Sequence, residues 1–399
     1  MDTNEFNYLN PQIMYFDNGA TTFKPQSMIE ATADYYANFS TNIHRGDYDL
    51  SLKAELAYEN TRELVAHLIK AKNKQEIIFT SGTTEGINMI VEGFFKQILK
   101  ERDEIVLTLT EHASNILPWY RLSDELGLTI KFIPLNESNE VTLEALKHTI
   151  TNKTKVVSLA HITNTIGDIR DIKAISEYLH EQGIYLLVDA AQSIAHTKID
   201  VIDMDIDFLI FSGHKMYGPT GTGVVYGKMP YLKKMQPLIL GGGMNDEFDE
   251  SGDYTLKPVP YCFEAGTPNI AGVIGLGKSV EMLLKIGLLK IEGYERDLRE
   301  YAIEKLKMLP HIVIYNEHNA GHTILFNIKD VFAQDTAIYL NQFGICVRAG
   351  SHCAKMMPKV LGIKNTCRIT FGIYNTKSQI DFLVKALAQG ADDVYGDVI

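Results

Sequence analysis

Between residues 76 and 226, short apolar runs alternate with segments of helical periodicity, and this alternation limits the fold more than any other feature of the sequence. The apolar runs predict strands at Ile77–Phe79, Glu104–Leu109, Thr129–Ile133, Val156–Ala160, Tyr185–Val188, Phe208–Phe211 and Gly223–Tyr226. Helices are predicted at 27–38, 52–71, 83–99, 115–126, 142–150 and 171–182. The pattern is typical of an α/β fold with a mostly parallel sheet covered by helices on both faces. Ligands of such folds bind beyond the C-terminal ends of the strands.

A second, smaller unit is predicted to follow the sheet-forming region. Residues 241–262 are first Gly-rich and then acidic, which predicts a long loop or a hairpin insertion. A helical stretch, 270–309, then leads to an α+β pattern with strands at 311–315, 322–328, 345–348 and 366–371. We therefore predict an N-terminal segment (1–26) that packs with the small domain, a large domain (27–265), and a C-terminal part (266–399) that holds the linking helix and the small domain.

Charge and cysteine usage exclude several classes of function. The chain of 399 residues is long enough for two hydrophobic cores, and its net charge of -12 opposes binding to nucleic acid or to anionic membranes. The N-terminus lacks the basic and apolar regions of a signal peptide, and no apolar run reaches membrane-spanning length. Four cysteines are too few for a disulfide framework and lack zinc-site spacing, so we expect no metal site and a reducing cytoplasm.

A lysine in the stretch Asp207–Gly223, which reads DFLIFSGHKMYGPTGTG, is placed for covalent chemistry. Lys215 follows a buried strand, where desolvation disfavours the ammonium and lowers its pKa, as a lysine that condenses with an aldehyde requires. The glycines after it allow the backbone to approach a bulky ligand. For an isolated lysine, a snorkelling side chain before a Gly-rich turn would be the favoured interpretation. The rest of the chain decides between the two.

Two further strand ends carry groups that a phosphorylated ring compound needs. The segment 81–86, SGTTEG, lies between a strand and a helix, where free N–H groups and Thr hydroxyls can bind an anion. A plain N-cap would fit this segment equally well. Asp189 follows the strand predicted at Tyr185–Val188, and a carboxylate there can keep the pyridine nitrogen of pyridoxal phosphate (PLP) protonated. Gln192 can reach the phenolic oxygen of the same ring. The alternative for Asp189 is a helix N-cap.

Two other polar residues follow predicted strands, and a third, Arg368, lies within one. His112 can stack on a cofactor ring and exchange protons with the substrate, although a single His after a strand is more often simply hydrogen-bonded. Cys353 lies beside His352 and near Arg348 in a Gly-containing loop, where a thiolate can be stabilised and act as a nucleophile. The alternative, a buried structural thiol, fits the other three cysteines better. Arg368 can bind a carboxylate through two parallel hydrogen bonds, or it can form a surface salt bridge.

Taken together, these motifs resemble the class V aminotransferase-fold PLP enzymes, and most closely the Suf-associated group II cysteine desulfurases. The matching segments read SGTTEGIN, EHASNILPW, VDAAQS, SGHKMYGPTGTG, FEAGTPN, RAGSHCA and CRITFGIYNT. The resemblance runs from Tyr15 to the C-terminal helix, and within the class the RAGSHCA loop points to desulfuration. It implies PLP fold type I, with a large domain built on a seven-stranded, mostly parallel sheet and a smaller α+β C-terminal domain.

The resemblance also implies roles for individual residues. Lys215 would bind PLP covalently, His112 would stack on the ring and Cys353 would take the substrate sulfur. The remaining cofactor contacts would come from Thr83, Thr84, Asp189, Gln192, Ser212, His214 and, in a homodimer, Thr267 of the partner subunit. The substrate would contact Asn164, Arg348 and Arg368.

The expected reaction converts L-cysteine, or L-selenocysteine, to L-alanine, with the sulfur held as a persulfide and passed to an acceptor protein for iron–sulfur cluster assembly. One alternative is another class V enzyme, such as a selenocysteine lyase, a β-lyase or an aminotransferase. A second is an inactive binding subunit of a sulfur-transfer assembly, which the intact lysine motif disfavours. Four residues around the substrate pocket differ from the usual family pattern, namely Tyr48, Ala113, Ser351 and Thr370.

Overall fold

The computed structural model describes residues 3–44 and 46–396. The strands are β1 Met14–Tyr15, β2 Ile77–Thr80, β3 Glu104–Thr108, β4 Thr129–Ile133, β5 Thr154–Ala160, β6 Tyr185–Asp189, β7 Phe208–Ser212, β8 Gly223–Gly227, β9 Asn245–Phe248, β10 Tyr254–Leu256, β11 Ile312–Ile314, β12 Thr323–Ile328, β13 Ile345–Cys346, β14 Arg348–Gly350 and β15 Thr366–Thr370. The α-helices are α1 Gln26–Asn38, α2 Asp49–Ile69, α3 Thr83–Ile90, α4 Lys96–Ile98, α5 Leu117–Leu126, α6 Leu143–Thr149, α7 Ile172–Glu181, α8 Met229–Leu232, α9 Ile270–Ile286, α10 Leu288–Lys307, α11 Ala333–Asn341, α12 Met357–Val360 and α13 Lys377–Gly396.

A seven-stranded sheet forms the centre of the larger unit, with the strand order β2-β8-β7-β6-β5-β3-β4. The five strands from β7 to β4 run parallel, and β8 runs antiparallel to both of its neighbours, β2 and β7. The predicted α/β fold with a mostly parallel sheet is therefore confirmed. Alternate apolar side chains of these strands point to opposite faces and enter two separate hydrophobic clusters, one with α2, α7 and α9 and the other with α3 and α5.

Two predicted helices are interrupted. The stretch predicted as one helix over 83–99 contains a π-helical turn, Val91–Phe95, between α3 and α4. Gly93 in this turn accepts a hydrogen bond from the backbone of Gln236, and a Cβ at Gly93 would lie 2.3 Å from the Gln236 carbonyl oxygen. The stretch predicted over 270–309 is split into α9 and α10 at Gly287, whose φ of 88° lies in the left-handed region.

A smaller antiparallel sheet, in the order β11-β12-β15-β14, packs with α10, α11 and α13 around a third hydrophobic cluster. The strand predicted over 345–348 is two separate strands: β13 pairs in parallel with β1, whereas β14 joins the small sheet. Met14 and Phe16 enter the cluster of the small sheet, so the N-terminal segment does contact the smaller unit. The exact domain boundaries at 26 and 265 stay predictions.

The insertion at 241–262 contains the hairpin β9–β10, which is mostly exposed. In the part of the chain that the structure describes, no helix combines the length and the apolar character needed to cross a membrane. Among the same residues, no group of three or more His, Cys, Asp or Glu side chains could hold a metal ion.

Candidate active site

A cavity opens where β5, β6 and β7 end, at the edge of the sheet where ligands of such folds bind. The residues predicted for the site that line this cavity are Thr83, Thr84, His112, Asn164, Asp189, Gln192, Ser212, His214, Lys215, Arg348, Cys353 and Arg368. Thr267 lies elsewhere, in a depression that it shares with Asn42, His44 and Tyr261. The fold therefore brings together residues from strand ends that are far apart in the sequence.

Lys215 is the buried amine of the cavity. It ends a short 3-10 turn, Gly213–Lys215, directly after β7. Burial is the main cause that lowers its pKa from 10.5 to about 8; the Asp189 carboxylate acts against this lowering, and Arg368 and Arg348 act in the same direction as burial. Its amino group has no hydrogen bond or ion pair within the described residues, and with a pKa of about 8 roughly a tenth of it is neutral at pH 7, far more than for an ordinary lysine.

Asp189 supplies a buried carboxylate at the end of β6. One of its oxygens accepts a 2.9 Å hydrogen bond from the backbone N–H of Ala191. Burial raises the pKa of Asp189 to about 6, against the lowering effects of that hydrogen bond and of Lys215. A cationic ring nitrogen placed beside this carboxylate would lower its pKa again, because the opposite charge favours the ionised form. The site thus suits a ligand with a protonated nitrogen.

Hydroxyl groups and a helix N-terminus form a side of the cavity whose chemistry suits an anion. Ser212 accepts a 2.8 Å hydrogen bond from the backbone N–H of Thr83, and the two hydroxyl groups lie 2.7 Å apart. Gly223 packs so closely on Gly82 that a Cβ at Gly223 would lie 2.4 Å from Gly82 Cα. These contacts fix the start of α3 against β7 and β8. The positive end of the helix dipole and the hydroxyl groups of Thr83, Thr84 and Ser212 therefore lie at the cavity.

His112 is oriented by a neighbour that the sequence analysis missed. The Nδ1 atom of His112 accepts a 3.2 Å hydrogen bond from the backbone N–H of Ser114, and the Ser114 hydroxyl lies 3.0 Å away and also contacts Thr84 Oγ1 at 2.7 Å. Burial and, to a smaller extent, the nearby Lys215 lower the pKa of His112 to about 4. The signal for Ser114 was its position two residues after the histidine, where a turn N–H reaches back to the ring.

Cys353 lies on an exposed part of the cavity wall. Both His352 and Cys353 have positive φ angles, 53° and 58°, in the left-handed region. Arg348 Nη2 lies 3.8 Å from the Cys353 sulfur, whereas the His352 ring is buried and bonds Thr366 Oγ1 at 2.8 Å. Of the two basic neighbours expected from the sequence, the guanidinium is therefore the one with a contact to the sulfur. The loop is attached by a hydrogen bond from Ala113 N–H to the Cys353 carbonyl.

Arg368 is buried rather than part of a surface salt bridge. Its Nη1 donates to the Asn164 carbonyl and its Nη2 donates to an Asp17 carboxylate oxygen, both at 2.9 Å, while Nε has no partner within the described residues. The sequence analysis did not identify Asp17 as a site residue. The remaining N–H groups of the guanidinium suit a substrate carboxylate.

The sheet topology and the strand-end lysine with its buried carboxylate place the chain in the α/β class of fold-type-I enzymes. The family model "Aminotransferase class-V" matches residues 14–383, and the chain belongs to that family. A probable cysteine desulfurase of Halalkalibacterium halodurans is 44% identical over 375 residues, which cover 94% of this chain and 92% of the relative. A probable cysteine desulfurase of Staphylococcus aureus strain Mu50 is 43% identical over 381 residues, covering 95% and 92%.

Solved structures agree with this assignment. The cysteine desulfurase CsdA of Escherichia coli is 35% identical, with a TM-score of 0.92 and 97% of each chain covered. The cysteine desulfurase of Thermococcus onnurineus NA1 is 36% identical, with a TM-score of 0.91 and 95% of this chain and 94% of that chain covered. The resemblance to class V enzymes and to cysteine desulfurases, predicted from the motifs, is confirmed, and so is the predicted fold class.

Exposure of the thiols predicts selective alkylation. Burial raises the pKa of Cys262 to about 11 and of Cys367 to about 12, and it also raises the pKa of Cys346, whereas Cys353 is exposed. Iodoacetamide at pH 7 should therefore modify Cys353 in the folded protein at least about tenfold faster than the other three thiols. Peptide mass spectrometry after a timed quench measures the four rates, and unfolded protein serves as the control. Equal rates in the folded state would contradict the placement of this loop.

Proposed function

We propose that this chain is a PLP-dependent cysteine desulfurase, which converts L-cysteine to L-alanine and captures the sulfur on Cys353 as a persulfide. The observation that carries the proposal is that a buried strand-end lysine, a buried carboxylate and an exposed thiol line one cavity. The names of the relatives support the same activity. The proposed destination of the sulfur is an acceptor protein, for which the exposed position of Cys353 leaves access.

The residues at the cavity fit PLP in chemistry as well as in position. The start of α3, with Thr83, Thr84 and Ser212, suits the phosphate. Backbone N–H groups and hydroxyl groups there can donate to phosphate oxygens, and the positive end of the helix dipole favours the negative charge. Asp189 would pair with the ring nitrogen and Lys215 would bind the aldehyde carbon. When bound, PLP supplies an electron sink for the pair released as the substrate's Cα–H bond breaks.

Proton transfer would be carried out by Lys215. Its lowered pKa of about 8 suits an amine that takes up the α-proton of a bound amino acid and returns a proton afterwards. His112 is neutral at pH 7 because burial lowers its pKa to about 4, so it can lie against a ring without adding positive charge there. Arg368 and Arg348 would hold the substrate carboxylate and thereby orient the amino acid over the lysine.

Sulfur transfer would be carried out by Cys353. Its thiolate forms an S–S bond with the substrate sulfur while the substrate Cβ–S bond breaks, and the electron pair of that bond stays with the carbon fragment, which is released as alanine after protonation. The left-handed conformation of His352 and Cys353 turns the chain sharply at this point, which brings the thiol to the cavity mouth beside Arg348.

The proposed homodimer explains the position of Thr267. This residue lies in the FEAGTP segment outside the cavity, and Glu264 fixes the segment by a two-point ion pair with the buried Arg62, at 2.7 and 2.9 Å. Thr267 of the partner subunit would then complete the phosphate site. The Thr267→Val variant should bind PLP several-fold more weakly, because a hydrogen bond to a charged group is lost. Mixed dimers with a Lys215→Ala chain should regain native affinity at half of the sites.

Fluorescence titration of the mixed and unmixed proteins, with sedimentation velocity to confirm the dimer, measures both effects. A fully active monomer, or mixed samples that bind no better than the Thr267→Val protein alone, would refute the shared site.

The Lys215 assignment predicts both a loss and a pH dependence. Lys215→Ala should lose the PLP label that borohydride fixes to the wild-type protein. Because burial lowers the Lys215 pKa from 10.5 to about 8, the neutral amine predominates above about pH 8, and PLP capture by the apoprotein should slow about tenfold for each pH unit below that. Stopped-flow absorbance from pH 6 to 9 measures the profile. Labelling of Lys215→Ala at another lysine would show that the assignment is wrong.

Cys353→Ser separates the proposed reaction from the lyase alternatives. The variant should bind PLP and L-cysteine as the wild type does, because Cys353 does not hold the cofactor, but alanine formation should fall by about two to four orders of magnitude. Persulfide trapping with a labelled alkylating reagent should detect sulfur on the wild-type protein alone. The matched controls are Cys262→Ser, Cys346→Ser and Cys367→Ser, which should keep their activity if folded. Alanine formation by Cys353→Ser at the wild-type rate would favour a lyase.

A further inference from the structure

A chain of four buried polar side chains extends from the cavity wall into the protein. Gln192 lines the cavity, and its Oε1 lies 3.3 Å from Nε2 of His322. The His322 ring stacks on the His196 ring, with a centroid distance of 3.7 Å and an angle of 16° between the planes. His196 Nδ1 in turn shares a 2.6 Å hydrogen bond with Glu295. The four residues come from the loop after β6, from the position directly before β12 and from α10, so they join both sheets.

This cluster is costly for a purely structural element. All four residues are at most 5% exposed, and within the described residues His322 Nδ1 and Glu295 Oε1 have no hydrogen-bond partner. Unpaired buried polar atoms are uncommon in folded proteins and call for an explanation, because each costs free energy when it leaves water. A leucine or phenylalanine at position 322 would fill such a space without that cost, which points to a use for the imidazole N–H itself.

The hydrogen bonds determine which way the Gln192 amide faces. Gln192 Nε2 donates a 2.8 Å hydrogen bond to the backbone carbonyl of Gly19, which can only accept. The amide oxygen must therefore face His322, and His322 must carry its proton on Nε2 in order to donate to it. The second N–H of the Gln192 amide has no partner within the described residues, and the amide lies at the cavity.

The charges around His322 keep it neutral. Burial lowers its pKa well below the usual range, and the nearby His196, Arg368, Arg299 and Lys215 lower it further. Glu295 lies next to His196 rather than His322, and burial raises the Glu295 pKa.

We propose that His322 is a positioning residue for the cofactor: it holds the Gln192 carboxamide so that an N–H group, and not the carbonyl oxygen, faces the phenolic oxygen of bound PLP. The stacked His196, anchored by Glu295, fixes the plane of the His322 ring. This inference rests on the proposed PLP-dependent function and assigns to His322 a role that acts through Gln192 alone.

The absorbance of the PLP-bound protein tests the inference. A hydrogen-bond donor at the phenolic oxygen stabilises the negative charge on this oxygen when the proton that it shares with the linkage nitrogen is lost. Loss of the donor therefore raises the apparent pKa of the visible band. Gln192→Leu should raise that pKa by about one unit, and His322→Phe, which keeps a flat ring but has no N–H, by roughly half a unit. The double variant should show no more than the Gln192→Leu shift, because both changes act on the same donor.

His311→Phe is the matched control. It also replaces a half-buried imidazole by a phenyl ring, but His311 does not line the cavity, and its Nε2 bonds the carbonyl of Leu387 in the smaller unit. It should lower the melting temperature without moving the pKa of the band. The inference is overturned if His322→Phe leaves the pKa unchanged, if its shift adds fully to that of Gln192→Leu, or if His311→Phe gives the same shift.

A second measurement keeps the test decisive if His322→Phe does not fold. Nitrogen-15 NMR of the histidine rings in the wild-type protein, with His322 assigned through His322→Gln, should show a proton on Nε2 and none on Nδ1. A proton on Nδ1 would overturn the inference. His322→Gln offers an amide N–H to the same oxygen and should keep the pKa of the band within about 0.2 unit of wild type. A wild-type protein that gives no visible band with PLP would instead overturn the proposed function, and this inference with it.

Discussion

The buried guanidinium of Arg368 is the interaction on which the geometry of the cavity depends. It lies on β15 of the small sheet, yet it binds the carbonyl of Asn164, after β5 of the large sheet, and the carboxylate of Asp17, in the N-terminal segment. With a relative exposure of 1%, it cannot exchange these partners for water. Removing the Asp17 carboxylate would leave a buried charge uncompensated, which is far more costly than losing a surface ion pair. One side chain therefore fixes three parts of the chain around the site.

Desolvation sets the protonation states within this frame. The same loss of water that lowers the Lys215 pKa to about 8 lowers the pKa of His112 to about 4 and raises that of Asp189 to about 6. Burial thus favours the neutral forms of the amine and the imidazole. It also favours the protonated form of the Asp189 carboxyl group, which a neighbouring cation would return to the ionised form. A ligand that brings an aldehyde, a phosphate and a protonated ring nitrogen would satisfy these groups in turn. Without such a ligand, these buried polar groups lack partners, which costs the apoprotein free energy of folding.

Local sequence patterns were sufficient for the sheet and for the strand-end residues. A short apolar run followed by Gly, Ser, Thr or Asp marks both the strand and the loop at its C-terminal end, and parallel pairing brings these ends together. The positions of Lys215, Asp189 and His112 at strand ends could therefore be predicted from the local sequence. The split of 345–348 into β13 and β14 did not, because it is decided by pairing with β1 more than 300 residues away. The antiparallel direction of β8 likewise depends on its partners, not on its own residues.

Side-chain partners were the least accessible to sequence analysis, because they depend on contacts between distant segments. His352 is adjacent to Cys353 in the chain, but its ring faces Thr366 of β15. His322 had no motif around it, and its contact with Gln192 spans 130 residues. Among the described residues, buried polar atoms without partners occur on Asn164, His352 and Arg368, which line the cavity, on His322 and Glu295 behind it, and also on Trp119, Thr165, Thr323 and Thr336. Unpaired polar atoms are expected where a fold has been shaped for a ligand rather than for stability alone. Five of these nine residues lie at the cavity or directly behind it, and this share marks the site independently of any sequence motif.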